Sequence, residues 1–110
     1  MAQYIIYFNQ QWVGDHSEEW FESRGPLAHQ VVADMKAAGV LTFAGGLEEE
    51  IELAVGFDEA GNVSGPISAG AFLGGLTIIT VATDDEANMW GAKIAQACGW
   101  PQEVRKFKGA

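Results

Sequence analysis

The fold is decided by one continuous stretch of sequence, residues 76–98 (LTIITVATDDEANMWGAKIAQAC). Its first seven residues are apolar or β-branched and follow two glycines, which predicts a central β-strand. Thr83 and Glu86 then have the spacing of a capping box, in which the threonine hydroxyl accepts a hydrogen bond from the Glu86 amide. The stretch therefore predicts a strand that runs directly into a capped helix.

The predicted helix has one apolar face, and its end is marked as clearly as its start. The apolar positions recur at helical spacing, and they are Ala87, Trp90, Gly91, Ile94, Ala97 and Cys98. Gly99 and Pro101 follow, and both residue types commonly end a helix. Residues 103–107 (EVRKF) predict a last strand, so this half of the chain reads strand, helix, strand.

The first half of the chain predicts the same order of elements. Residues 4–8 (YIIYF) are β-branched and aromatic, as in a first strand. Ser17 is followed by two glutamates and predicts a helix N-terminus, because a hydroxyl cap and negative charge both favour that end of a helix. Gly25 and Pro26 should break or kink this turn, with Pro26 as the first residue of a longer helix.

The longer helix is predicted from a single apolar stripe. Leu27, Val31, Met35 and Ala38 are spaced by four, four and three residues. Gly39 should end the helix, and residues 40–43 predict the second strand.

The middle of the chain predicts a hairpin with a short return arm. Residues 51–57 alternate apolar and polar side chains, which predicts a half-buried strand with an acidic outer face. Residues 58–62 (DEAGN) predict a turn, and Val63 begins the return arm. The order β-α-β-β-(short arm)-β-α-β predicts a single α+β domain over residues 1–110, ferredoxin-like, with two helices on one face of an antiparallel sheet.

Composition and charge limit the partners and the compartment. Fifteen acidic residues against six basic ones give a net charge of −9, which repels phosphate backbones and anionic lipid. We therefore expect neither nucleic acid nor a membrane as a partner. The single cysteine cannot form an internal disulfide, and the N-terminus lacks the basic region of a signal peptide. A cytoplasmic location is expected.

Two strands carry large apolar side chains on both faces, although two helices cover only one face of such a sheet. In the first strand Ile5 and Tyr7 point away from Tyr4, Ile6 and Phe8, and in the fourth Leu76 and Ile78 point away from Ile79 and Val81. Each of these side chains left exposed would forgo about 1.5–3 kcal/mol of burial. The pattern predicts a homodimer packed sheet to sheet about a two-fold axis, with a ligand pocket between the sheets.

From residue 36 onward the chain resembles the YCII-related family, in its DGPF-type branch. The resemblance rests on residues 38–41 (AGVL), 44–47 (AGGL), 61–66 (GNVSGP), 73–75 (LGG), the capped helix with Ala87 and Trp90, and 103–107 (EVRKF). It implies a dimeric ferredoxin-like fold of the α+β barrel type. In shorter relatives of this largely uncharacterised family, a histidine and a nearby acid are proposed as an active site, and His29 has the corresponding position. Ser64 and Ile67 stand where the family's signature turn usually has Asp and Phe.

His29 is the candidate catalytic residue. It lies off the predicted apolar stripe and should be partly exposed, so it is either a general base or a surface histidine without a role. As a base it would need a carboxylate to fix its tautomer, which Glu48, Glu49 or Glu50 could supply. Together with Glu52 these acids form either a solvated loop or, less in keeping with alternating strand faces, a metal site.

Three further residues are candidate substrate-binding groups. Arg105 can hold a carboxylate with two parallel hydrogen bonds, or it can form an ordinary ion pair. It lies with Lys106 and Lys108 in a basic C-terminal segment, which is either a solvated tail or an anion site. Ser64 stabilises a turn or contacts a ligand. Trp100, like Trp12 and Trp20, lies near a loop and either lines a pocket mouth or closes the core.

The sequence contains no glycine-rich phosphate loop, paired metal motif or nucleic-acid motif, so no cofactor is expected. The first function predicted is a YCII-like homodimer that binds a small anionic or aromatic molecule. If it is catalytic, His29 would act as the base in a cofactor-free elimination or isomerisation, and Arg105 would hold the substrate. The alternative is a non-catalytic accessory or regulatory dimer whose acidic surface meets a basic protein partner.

Overall fold

A computed structural model describes residues 1–109. The strands are β1 (Ala2–Asn9), β2 (Leu41–Gly46), β3 (Gly56–Phe57), β4 (Val63–Ser64), β5 (Leu73–Val81) and β6 (Glu103–Lys106), and the helices are α1 (Glu18–Ala37) and α2 (Asp84–Cys98). Short 3-10 turns occupy Gln10–Trp12 and Ile51–Leu53. Neither α1 nor α2, nor any other helix within residues 1–109, is long and apolar enough to cross a bilayer.

The main sheet has four antiparallel strands in the order β2-β5-β1-β6. The two central strands are β5 and β1, and both helices pack on one face of the sheet. This arrangement confirms the predicted ferredoxin-like α+β fold. The predicted central strand at residues 76–82 covers the last six of the nine residues of β5 and extends one residue beyond the strand's end.

The core lies between this sheet and the two helices. Ile6, Met35, Ile79 and Val81 are fully buried, and they join β1, α1 and β5. All six apolar positions predicted for the inner face of α2 are buried. Tight packing fixes Gly91 among them, because a Cβ there would lie 2.5 Å from a side-chain carbon of Val104 on β6.

The predicted helix ends are confirmed. The Trp20 amide donates to the Ser17 hydroxyl and the Glu86 amide donates to the Thr83 hydroxyl, each over 3.1 Å. At the C-terminal ends, Gly39 and Gly99 have φ angles of +74° and +87°, a conformation that glycine adopts without strain.

The predicted break at Gly25 and Pro26 is wrong. Helix α1 runs through Pro26 without interruption. Proline removes one helical N–H, which leaves the carbonyl of Glu22 without its usual donor. Both Glu22 and Pro26 are exposed, so water can reach this carbonyl, and helix packing on both sides of the proline outweighs its local cost.

The predicted stripe on α1 is only partly correct. Met35 is fully buried, but Leu27 is 49% exposed and Ala38 is also exposed. Beside Met35, the residues of α1 packed against the core are Ala28, Val31 and Val32. The buried face is therefore turned relative to the predicted stripe, because α1 packs against α2 as well as against the sheet.

The predicted half-buried strand at residues 51–57 is wrong. Ile51–Leu53 form a 3-10 turn, and only Gly56–Phe57 pair, with Val63–Ser64, in a separate two-stranded sheet. Leu53, Val55 and Phe57 are between 55% and 69% exposed, because this segment pairs with its own return arm and not with β2. We call residues 47–72, which leave the main sheet after β2 and rejoin it at β5, the insertion arm.

Candidate functional site

His29 lies on an exposed face of α1, at the mouth of a cavity of about 270 Å³ between α1 and the sheet. We call this cavity the helix-side cleft. Its lining consists of Phe8, Ala28, His29, Val32, Ala44, Gly45, Gly46, Leu76, Thr77, Ile94, Cys98 and Gln102. The predicted partial exposure of His29 is thus confirmed, and the imidazole has access both to solvent and to a mainly apolar cavity.

Glycines on two neighbouring strands shape this end of the sheet. A Cβ on Gly74 or Gly75 of β5 would lie 2.5 Å or 2.9 Å from the ring of Phe8. Such distances do not occur between real atoms, so both glycines are required for the Phe8 ring to lie flat over β5. Next to them, a Cβ on Gly46 of β2 would meet only the carbonyl oxygen of Gly74, at 3.9 Å, which leaves room in the cleft.

The cysteine at the buried end of the cleft is a weak nucleophile. Burial raises the pKa of the Cys98 thiol, so this sulfur stays protonated near neutral pH and is a poor nucleophile. Thr77 and Ile94 close the cavity beside it. The cleft therefore offers hydrogen bonds from few side chains, among them the His29 imidazole at its mouth.

A second cavity, of about 510 Å³, adjoins the cleft and shares Phe8 and Gly46 with it. We call it the end pocket. Phe8, Phe21 and Trp100 form its aromatic walls, with ring centroids 5.1 Å apart for Phe8 and Trp100 and 6.5 Å apart for Phe21 and Trp100. Glu49 is its only charged lining residue. Trp100 therefore lines a pocket, which was one of its two predicted roles.

Trp100 is positioned by an aromatic cluster at the start of α1. The Trp20 ring stacks on His16, with centroids 3.6 Å apart, and its centroid lies 6.2 Å from that of Trp100. A Cβ on Gly99 would lie 2.7 Å from the Trp20 ring, so only glycine allows this close approach. The indole nitrogen of Trp100 is buried and has no hydrogen-bond partner among the described residues, which leaves a donor available at this end of the molecule.

Arg105 lies on the opposite face of the sheet from the cleft. Together with Ile5, Tyr7, Phe107 and other residues it lines a groove of about 450 Å³, which we call the open-face groove. The cleft and the groove share no lining residue. The structure therefore does not bring His29 and Arg105 together, and one small substrate cannot contact both within a single chain.

Ser64 belongs to neither cavity. It lies exposed on β4 of the insertion arm, where its hydroxyl donates to the carbonyl oxygen of Gly65 over 3.0 Å. This contact agrees with the turn-stabilising role that the sequence left open.

The acidic cluster at the start of the insertion arm is solvated. Glu48, Glu49, Glu50 and Glu52 are all exposed. Within residues 1–109, no three potential metal-ligating side chains converge, and the histidine that forms a hydrogen bond is His16, with the carbonyl oxygen of Val13, and not His29. The carboxylate that a histidine base would need is therefore not among the contacts of His29 in this part of the chain.

Three ionisable side chains whose contact the sequence does not indicate meet at the start of α2. The Tyr4 hydroxyl donates to the carboxylate of Asp84, and the ammonium of Lys106 lies 3.7 Å from the same carboxylate. The hydrogen bond to Asp84 raises the pKa of Tyr4 to about 12. The same bond, with the charge of Lys106, lowers the pKa of Asp84. This triad connects β1, β6 and α2 outside the helix-side cleft, and its Lys106 also lines the open-face groove.

Sequence reasoning also missed the residues that give the cleft its shape. Phe8 and Gln102 line it, and nothing in their local sequence indicates that role. The available signal was the pair of Gly-Gly dipeptides, residues 45–46 and 74–75, on strands that lie side by side. Two glycine pairs in neighbouring strands indicate that something approaches the backbone closely.

No protein-family model matches this chain, and no curated protein matches it either. The YCII-related resemblance therefore stays a prediction from the sequence motifs. What the structure adds is the fold, a ferredoxin-like α+β domain with an insertion arm between its second strand and the next strand of the main sheet.

Proposed function

We propose that this protein is a YCII-like homodimer that binds a small, largely aromatic molecule in the helix-side cleft, with His29 at its polar end. The observation that supports this proposal most directly is the adjacency of two cavities. The mainly apolar cleft beside His29 and the aromatic-walled end pocket adjoin each other, since Phe8 and Gly46 line both. Ligand sites in proteins are typically apolar cavities with few polar groups.

The lining favours an aromatic ligand over a strongly anionic one. Phe8, Phe21 and Trp100 offer ring faces and edges, which interact well with another aromatic ring. Glu49 would repel a carboxylate that enters the end pocket. A single negative charge is best placed near His29, where an imidazole N–H can donate a hydrogen bond to it.

Binding is better supported than catalysis. A general base needs a fixed tautomer, and the described contacts of His29 include no carboxylate. If the protein is catalytic, the chemistry would be a cofactor-free elimination or isomerisation in which His29 takes a proton from the ligand. Arg105 would not hold that substrate in the same protomer, because it lies on the other face of the sheet.

The homodimer is proposed from the face of the sheet that the helices leave uncovered. Ile5, Tyr7, Leu76 and Ile78 are partly exposed there, and Phe43 on β2 is 56% exposed. Apolar side chains that are contiguous on one surface favour association. A sedimentation or light-scattering mass equal to one chain at micromolar concentration would contradict this part of the proposal and leave ligand binding to its own test.

The binding test uses NMR chemical-shift mapping with two probes, indole and benzoate. We expect both probes to shift resonances of residues that line the cleft and the end pocket. Ala28→Leu fills the cleft from α1 and should weaken binding by roughly tenfold or more, since a lost 1.4 kcal/mol is tenfold. Ala33→Leu is the matched control, because Ala33 lies on the exposed side of the same helix.

The outcome that would overturn cleft binding is equal affinity in the Ala28→Leu and Ala33→Leu variants, or no shifts at the cleft with either probe. His29→Ala refines the result: it should weaken benzoate binding and leave indole binding nearly unchanged. A chain that binds neither probe but is dimeric would favour the alternative function, a non-catalytic accessory or regulatory dimer with a protein partner.

A further inference from the structure

The insertion arm is poorly packed on its own chain. Its root is fixed by main-chain hydrogen bonds, from Leu47 to Gly74 over 2.9 Å and from Gln10 to Phe72 over 2.8 Å. Beyond the root, the hydrogen bonds that the structure gives for the arm join its own residues to one another. Six of its large apolar side chains are between 50% and 74% exposed, namely Leu47, Leu53, Val55, Phe57, Val63 and Ile67, whereas Ile51 and Phe72 are half-buried.

The chain exposes more surface than a folded monomer of its size. Its accessible surface is 7270 Å², whereas a monomer of this mass typically exposes about 5,900 Å². Its radius of gyration is 15.5 Å, against about 13 Å for a compact domain of this length. The excess surface, about 1,400 Å², is larger than the roughly 800 Å² that each partner buries in a stable protein interface.

The insertion arm and the open-face groove have opposite charges. The arm contains six acidic residues, Glu48, Glu49, Glu50, Glu52, Asp58 and Glu59, and no basic residue. The open-face groove is lined by Arg105, Lys106 and Lys108, half of the six basic residues in the chain. The same chain thus has an acidic apolar projection and a basic apolar groove.

We propose that the insertion arm of one protomer docks in the open-face groove of a second copy, and that the second copy returns the same contact. Arm residues such as Leu53 and Ile67 would cover Ile5 and Tyr7 of the other copy, and the arm acids would face its Arg105. This proposal rests on the homodimer part of the proposed function and adds which segments meet. Each groove is incomplete until the arm of the other copy covers it.

A second copy is favoured over an unrelated partner because both complementary surfaces belong to this chain. A two-fold axis brings each surface of one copy to its complement on the other, so a single geometry covers both arms and both grooves. In this arrangement Arg105 pairs with an acid from the other protomer and not with a substrate.

The first test compares dissociation constants of the dimer measured by analytical ultracentrifugation. The double variant Leu53→Ser/Ile67→Ser should raise the dissociation constant by at least roughly tenfold, because it removes apolar contact from the interface. Leu27→Ser is the matched control, an exposed apolar residue on α1 that faces away from the groove, and it should change nothing. Circular dichroism checks that each variant is folded.

The second test uses the unmodified sequence. Protomers labelled with ¹⁴N and ¹⁵N are mixed by refolding together, and native mass spectrometry verifies that mixed dimers form. A carbodiimide then links contacting carboxylates and amines. We expect linked peptides that pair the arm acids of one isotope with Lys106 or Lys108 of the other isotope.

The outcomes separate this inference from the proposed function. A dimer that keeps its affinity in the arm variant and gives no mixed-isotope links from the arm overturns the docking of the arm, and the homodimer stands. A wild-type chain that is monomeric overturns both the homodimer and the docking. Neither result bears on the cleft, which is tested by the two NMR probes.

Discussion

Helix α2 and the insertion arm both carry apolar residues in a regular pattern, but the two patterns lie in different surroundings. In α2 the apolar face packs on β5 and β6, and every predicted position is buried. In the arm the alternating residues Leu53, Val55 and Phe57 lie in solvent. A regular spacing of apolar residues therefore predicts that one face of an element will be buried. It does not indicate whether the surface that buries this face belongs to the same chain or to another one.

The largest expected effect is the difference in stability between a substitution in the core and one in the insertion arm. Ile6 is fully buried in the core, so Ile6→Ala should lower the free energy of unfolding by about 2–5 kcal/mol. Leu53→Ala should cost less than about 0.5 kcal/mol within one chain, because Leu53 is 69% exposed. Urea denaturation at two protein concentrations measures both effects.

Concentration dependence is what makes this pair of substitutions informative. If the arm contacts a second copy, Leu53→Ala should become more destabilising as the protein concentration rises, since dimerisation stabilises the folded state by mass action. The cost of Ile6→Ala should change little over the same range. A cost for Leu53→Ala as large as that for Ile6→Ala in dilute protein would contradict the distinction between core and arm.

Much of the fold could be predicted because its signals are local. The cap at Thr83, the face of α2 and the stop at Gly99 depend on residues within one or two helical turns, where backbone geometry fixes the spacing. The same holds for β1 and β5, whose β-branched runs are too regular to be mistaken. The ferredoxin-like fold class follows from two strand–helix–strand halves in the sequence.

The predictions that are wrong concern segments whose structure depends on contacts with parts of the chain that are distant in sequence. Residues 51–57 have a strand-like alternation, but nothing in that segment says that β2 would be the edge of the main sheet. Pro26 predicts a break from its own chemistry, and the packing of α1 on both sides of it outweighs that preference. On α1, Ala28 faces the core and Leu27 does not. A rotation of the helix by one residue would exchange the two, and the apolar pattern does not distinguish these orientations.

The candidate site was predicted only in part for a similar reason. His29 was placed on the exposed side of its helix, which the structure confirms, and Trp100 lines a pocket. That His29 and Arg105 lie on opposite faces of the sheet could not be read from the sequence, because the register of β6 against β1 sets the direction of Arg105. The shape of the cleft depends on glycines whose role appears only when β2 and β5 are adjacent.

A smaller effect should be confined to the arm. Gly56 is buried inside the arm hairpin, where a Cβ would lie 2.4 Å from the carbonyl oxygen of Gly65. Gly56→Ala should therefore cost about 1–3 kcal/mol of local stability. Amide hydrogen exchange should become faster by roughly tenfold or more for arm residues and stay unchanged in α2.

Gly65→Ala serves as the matched control in the same hairpin, because a Cβ there meets nothing within 4 Å. If Gly56→Ala lowers the protection of α2 as much as that of the arm, the two regions unfold together and the comparison between them fails.

The smallest effect is a difference in pH response. Tyr4 keeps its proton up to a pKa of about 12 in the folded chain, against 10.0 ordinarily. Its contribution to stability is thus complete below pH 10 and is lost as the pH rises from about 10 to 12. Ultraviolet titration of tyrosinate should show this late ionisation, and Asp84→Asn should move the pKa of Tyr4 back toward its ordinary value.

Low pH should destabilise the insertion arm through a different ionisable group, the carboxylate of Asp58. Backbone amides of Asn62 and Ala60 donate to the carboxylate of Asp58 and lower its pKa. The contribution of Asp58 to the arm turn is therefore present above its ordinary pKa and is lost as the pH falls through the lowered value. A loss of stability at alkaline pH that vanishes in Asp58→Asn and persists in Tyr4→Phe would contradict the assignment of the alkaline effect to Tyr4 and of the acid effect to Asp58.

The place of the insertion arm has a consequence for how the chain folds. β2 and β5 are neighbours in the sheet, yet roughly two dozen residues separate them where a hairpin typically has about two to five. Closing the longer loop costs about 1.5–2 kcal/mol more entropy, which corresponds to a rate lower by about tenfold or more if the pair forms in the transition state. Contacts between β5 and α2 need only a short loop to close. Folding is therefore expected to begin at the β5–α2 segment, with β2 joining the sheet late.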